Sequence, residues 1–120
     1  MGGDQAHLVN SIFGKEFTLE GMTPEGRAKW IAGQVDLAKN KVNIASVIEA
    51  LNLGVKWSDE EQNLLCLAAQ KKHIDLIEPL IQSGLDVNAT MHGYITALTV
   101  AASLNDVEMA KKLIANKAVL

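Results

Sequence analysis

An all-α fold of stacked helix pairs is what this sequence predicts, and three observations carry the prediction. The chain repeats itself: a displacement of 33 residues lays Leu65, Ala68, Ala69, Leu80 and Ile81 on Leu98, Ala101, Ala102, Leu113 and Ile114. Conservative matches add Leu67 on Val100, Ile74 on Val107, Asp75 on Glu108, Leu76 on Met109 and Val87 on Leu120. A constant step of this size marks a solenoid of short supersecondary units. Composition is the second observation. Of 120 residues 48% are apolar but only 4% aromatic, so the core is built from Leu, Ile, Val and Ala, which favours packed helices over a β-sandwich or barrel. Third, the apolar residues recur at helical spacing between recognisable start and stop signals.

The elements follow in order. Residues 1–22 read as an N-terminal extension in which Leu8, Val9, Ile12 and Phe13 would form one or two turns of amphipathic helix, broken at Gly14 and Gly21. Thr23-Pro24-Glu25 is a helix start: a capping hydroxyl, a proline at the first helical position and a carboxylate facing the helix dipole. Ala28, Ile31, Val35 and Ala38 then share a face to about Lys39. After Asn40-Lys41 a second helix carries Ile44, Val47, Ile48 and Leu51 and stops at Gly54. Ser58 and Glu61 have capping-box spacing, which predicts a helix from Asp59 to about Gln70. A turn at Lys71-Lys72 leads to the stripe Ile74, Ile77, Leu80, Ile81, ended by Gly84 as a C′ glycine. Pro79 falls inside that helix, where it removes one hydrogen bond and should kink it. The next unit repeats the plan, with a first helix over about Thr96–Ser103, a turn at Leu104-Asn105-Asp106, and a stripe of Val107, Ala110, Leu113 and Ile114. The alanine pairs Ala68-Ala69 and Ala101-Ala102 let neighbouring helices approach closely.

Charge and motif content narrow the function. Lys and Arg number 11 against 14 Asp and Glu, a net charge of −3, so no surface is tuned to phosphate backbones and nucleic acid is not the expected partner. The single cysteine, Cys66, excludes an internal disulfide and any cysteine-rich metal centre, and it suits a reducing compartment. No apolar run approaches the roughly 18 residues of a membrane span, and Ala6 stands where a myristoylation signal needs Ser or Thr. A cytoplasmic or otherwise intracellular chain with no membrane partner is expected. His7, His73 and His92 match no metal-ligand spacing, and the nine glycines form neither G-x-G-x-x-G nor a phosphate loop, so neither metal nor cofactor is implied. Cys66 and His73 could be paired as nucleophile and base. A small buried cysteine and a structural turn histidine is the simpler reading. Asn88-Ala89-Thr90 matches the glycosylation acceptor by coincidence in such a chain.

Three stretches carry a family resemblance: Asn63-Leu64-Leu65-Cys66-Leu67-Ala68-Ala69, the loop Gly84-Leu85-Asp86-Val87-Asn88-Ala89, and Thr96-Ala97-Leu98-Thr99-Val100-Ala101-Ala102. With His73 in the turn, segment 58–120 resembles the ankyrin repeat, whose unit runs T-P-L-H-x-A-A, a turn ending in G-H, a second helix, and G-A-D-V-N-A leading to a hairpin. The resemblance implies an all-α, ankyrin-type solenoid of about three stacked helix pairs with hairpin-like loops, in units of about 23–57, 58–90 and 91–120. The first unit is divergent, with Gly54-Val55-Lys56-Trp57 in the loop slot. Departures from the pattern are specific. Leu64 and Ala97 replace the prolines, and Cys66 and Thr99 replace the histidines, so the hydrogen bonds of that imidazole should be missing. Gly93 sits one residue early relative to Thr96, which suggests a modified hairpin tip. Stability below that of consensus repeats is expected.

The resemblance also implies a function: non-catalytic binding of another protein through the hairpin tips and the exposed residues of the first helices. Those positions are Lys56 and Trp57 in one loop, and Met91, His92, Tyr94 and Ile95 in the next. Gln70, Lys71, Ser103 and Leu104 lie at the ends of the first helices. Trp57, Met91, Tyr94 and Ile95 are anchor types at interfaces; the competing expectation is that Trp57 packs under its neighbouring loop and Ile95 fills the seam between units. An alternative function is a substrate-recognition or targeting fragment of a larger enzyme such as a bacterial effector, working in a host cytosol. The sequence stops at Ala118-Val119-Leu120, where the next hairpin would begin, so an apolar flank is expected to stay open to another copy, a partner or further chain.

Overall fold

A computed structural model of the chain describes residues 8–12 and 15–118. Its stack consists of α1 (Pro24–Val35) with α2 (Ile44–Leu53), α3 (Leu64–Gln70) with α4 (Ile74–Gln82), and α5 (Ala97–Ser103) with α6 (Val107–Ala115). The first helices form one row, α1 on α3 and α3 on α5, and the second helices form another, α2 on α4 and α4 on α6. Between the rows runs one continuous core of aliphatic side chains, in which Leu65 and its counterpart Leu98 are both buried.

Local chemistry explains most of the boundaries. Thr23 Oγ1 accepts the Gly26 amide at 2.9 Å, Asn43 Oδ1 that of Ser46 at 3.2 Å, and Asp106 Oδ1 that of Met109 at 3.1 Å. Each satisfies one of the amides that a helix start leaves unpaired. The 33-residue step is also written in the backbone. Lys72 and Asn105 take φ of 64° and 56° in the inter-helix turns, and Gly84 and Lys117 take 115° and 76° after the second helices. Helix α4 continues through Pro79 to Gln82; the proline deprives the Asp75 carbonyl of its usual donor.

Several expectations need correction. Leu8, Val9 and Ile12 lie in a strand, not a helix: β1 (Leu8–Ile12) pairs antiparallel with β2 (Lys15–Thr18), Leu8 opposite Thr18 and Val9 opposite Phe17. The β-branched Val9, Ile12 and Thr18 and the aromatic Phe17 suit an extended ribbon. The helical stack is thus preceded by one two-stranded ribbon. His7, Phe13 and Leu120 lie outside the described residues. Helix α1 ends at Val35 rather than near Lys39, and a short 3₁₀ turn, Lys39–Lys41, follows. The helix expected from Asp59 begins only at Leu64. The Ser58–Glu61 capping box is present, but it closes a single 3₁₀ turn, Asp59–Glu61, and Asn63 then leaves the helical region. Ile114 and Ala102, expected inside, are exposed, because the third pair has no described neighbour on that side.

One buried charge fastens the start of the stack. Arg27 is only 7% exposed. Its Nη1 donates to the carbonyls of Leu19 at 3.0 Å and Met22 at 2.6 Å, and its Nε to that of Gly54 at 2.7 Å. The guanidinium therefore joins the segment entering α1 to the carbonyl end of α2, where a helix presents partial negative charge.

Candidate functional site

A groove lies between α3 and α5, under the hairpin that precedes α5. The hairpin is made by Met91 and Ile95, whose amides donate to each other's carbonyls at 2.7 and 3.0 Å. His92 and Gly93 turn the chain between them with φ of 58° and 85°, which places the following Tyr94 outward, 76% exposed. Helix α5 starts at once: Thr96 and Thr99 form a reciprocal capping box, each hydroxyl accepting the other's amide. The register thus set lines the groove with Thr99 and Ser103, and with Val100 and Leu104. Gln70, the last residue of α3, stands opposite, and Met91, Tyr94 and Ile95 complete a space of about 400 Å³.

Beneath the hairpin lies Cys66. Its Sγ donates to the carbonyl of Ile95 at 3.5 Å and, more weakly, to that of Ala89 at 3.8 Å. The expectation that this slot loses its hydrogen bonds is therefore corrected: a thiol donates to the loop carbonyls in place of an imidazole. Burial pushes the thiol above its ordinary pKa, an effect partly offset by backbone hydrogen bonds from Cys66 itself and Met91. Buried neutral thiols are poor nucleophiles. His73 faces other groups, its Nε2 lying 3.0 Å from the Val35 carbonyl and 2.9 Å from that of Leu37. Two acceptors there fix the proton on Nε2, and Nδ1 is buried with no partner. This histidine ties the α3–α4 turn to the end of α1.

The ten residues singled out from the sequence divide. Gln70, Met91, Tyr94, Ile95, Ser103 and Leu104 converge on the groove. Lys56 and Trp57 line a separate cleft of about 250 Å³ with Glu25, Lys29, Ser58 and Glu61. Trp57 is half-buried, and its Nε1 donates to Ser83 Oγ at 3.1 Å, while that hydroxyl donates to the Leu80 carbonyl at 2.6 Å. It is a strut between the loop and the end of α4. His92 at the exposed tip and Lys71 in the α3–α4 turn line neither cavity. Thr99 and Val100 are groove residues not singled out from sequence; the Thr-x-x-Thr spacing was the available signal. Among the described residues no cluster of His, Cys, Asp and Glu could hold a metal, and no helix is long and apolar enough to cross a membrane.

The family model for ankyrin repeats (three copies) matches residues 35–119, from the last residue of α1 through α6. The chain belongs to the ankyrin repeat family. Searches of curated proteins and of solved structures gave no match. Ankyrin repeats generally serve as protein–protein interaction modules. In this ankyrin stack the groove lies on the first-helix row and carries no charged side chain in its lining, so it offers shape, apolar contact and neutral hydrogen-bonding groups. Nearly all of α1 lies outside the family match, consistent with the weak likeness of residues 23–54 to the later units.

Proposed function

We propose that the protein is a non-catalytic ankyrin module, working inside the cell, that holds a segment of another protein in the groove between α3 and α5. The units are taken as 23–57, 58–90 and 91–120, with the second and third supplying the groove. The observation that carries the reading is Tyr94. A large side chain left 76% exposed beside apolar Met91, Ile95, Val100 and Leu104 is the composition of an interface anchor. Gln70, Thr99 and Ser103 give a polar rim of neutral donors and acceptors, which suits a segment with an apolar side chain and an exposed backbone. The hairpin is set by backbone bonds and the α5 start by its capping box, so binding requires little ordering. A single free, buried cysteine supports the intracellular setting.

The test is selection of binding peptides against the whole protein, followed by affinity measurement with Tyr94→Ala and Ser103→Arg. Each should weaken the selected peptides by about 1–3 kcal/mol and leave thermal unfolding unchanged, since both side chains are exposed. Trp57→Ala is the contrasting control: it should lower stability by breaking the contact to Ser83. Unchanged affinity in both groove variants would remove this face from the function.

A further inference from the structure

The third helix pair presents a face that the second pair keeps covered. Positions related by the 33-residue step show this one by one. Ala69 on α3 is buried, whereas Ala102 on α5 is exposed. Ile74 and Ile81 on α4 pack against the core, whereas Val107 and Ile114 on α6 are 54% and 49% exposed. The side chains are the same or nearly so; only the covering layer differs. The α5–α6 face therefore keeps the small and aliphatic surface that, one step earlier, receives a helix pair.

We infer that a second copy of this chain covers the α5–α6 face, forming a twofold, end-to-end dimer. The pattern along α6 is self-complementary. Val107, Lys111 and Ile114 form one stripe at i, i+4 and i+7, flanked by Glu108. Antiparallel pairing of α6 with its copy, about a twofold midway between positions 107 and 114, sets Val107 of each copy against Ile114 of the other. The same operation brings Glu108 of each copy beside Lys111 of the other, so both charges gain an opposite partner. It also lays α5 over α5, where Ala102 permits close backbone approach. Such an interface uses one patch on both copies and closes, so it yields a dimer and no filament. The groove lined by Val100 and Leu104 lies on the other side of α5, and the dimer stands independently of what that groove binds.

Sedimentation equilibrium of the full chain over a rising concentration series tests this. The expected result is a mass climbing from one chain to two. Ile114→Glu and Lys111→Glu should each weaken the dimer by about tenfold or more, with circular dichroism unchanged because both positions are exposed. Combining Glu108→Lys with Lys111→Glu should restore most of the affinity lost by Lys111→Glu alone, since the cross-copy pairing is then recreated with its signs reversed. One chain's mass at every concentration would overturn the inference, as it would if a different protein covers this face. A dimer indifferent to Ile114→Glu would overturn it too, by locating the contact elsewhere.

Discussion

Arg27, His73 and Cys66 do similar structural work: each satisfies backbone carbonyls that the turns of the stack leave inside. Arg27 matters most, because its removal strands the carbonyls of Leu19, Met22 and Gly54 together. Arg27→Leu should cost about 2–4 kcal/mol, read as a lower urea midpoint at constant slope. Arg27→Lys keeps the charge but cannot reach acceptors on both sides, and it should recover only part of that loss. A midpoint within error of the parent protein would show that water replaces the guanidinium. Cys66 gives a pH-dependent prediction. The unfolded thiol ionises near its ordinary value of 9.0, while burial keeps the folded thiol protonated to higher pH. Above that value the native state holds a proton the unfolded chain has lost, so stability falls as pH rises, by up to about 1.4 kcal/mol per pH unit. Below it the thiol contributes no slope. Denaturant titrations from neutral to alkaline pH should therefore show a shallower decline for Cys66→Ala than for the parent; equal slopes would mean the thiol ionises freely in the fold.

Helix boundaries were legible where chemistry is local and hidden where it is not. Gly54 and Gly84 end α2 and α4 as their positions in the sequence indicate, with φ of 111° and 115°. Thr23-Pro24-Glu25 likewise opens α1. The Ser58–Glu61 box, by contrast, forms as its spacing implies and yet closes only one 3₁₀ turn, because a cap fixes where a helix begins and says nothing of how far it runs. Leu8, Val9 and Ile12 fit a short helical face and a strand equally well, and the choice is made by pairing with Lys15–Thr18. The site shows the same division. Groove residues near α5 follow from the repeat, whereas the bond from Trp57 to Ser83 and those from His73 to the end of α1 join residues far apart in sequence. Left-handed backbone is the element-scale feature most open to test. Lys72 carries φ of 64° in its turn, where a Cβ is strained. Lys72→Gly should stabilise the protein by about 0.5–1 kcal/mol, the strain relief exceeding the extra freedom of the unfolded glycine. Gly84→Ala should destabilise by about 1–2 kcal/mol through φ alone, since nothing lies within 4 Å of the added carbon. Thermal unfolding of the pair checks both signs.

A stack of this kind has no single centre; each pair is held by its neighbours, so stability varies along it. The α3–α4 pair contacts helices on both sides, α1 and α2 before it and α5 and α6 after it, whereas α5–α6 has a described neighbour on one side only. Leu80 and Leu113 are equivalent under the repeat and both fully buried, so burial alone would rank them equal. Neighbour coupling ranks them differently. Leu80→Ala should fall near the upper end of the roughly 2–5 kcal/mol range for such truncations and Leu113→Ala near the lower end. Amide exchange should follow the same order. In dilute solution the α6 amides open locally, ahead of global unfolding, while those of α4 exchange only with the whole stack. Raising the protein concentration should then slow exchange in α6 and leave α4 unchanged, because a second copy on Val107 and Ile114 supplies the missing neighbour. Equal protection of α4 and α6 in dilute solution would mean that the stack unfolds as one cooperative block, and a concentration-independent α6 would mean that its outer face stays bare.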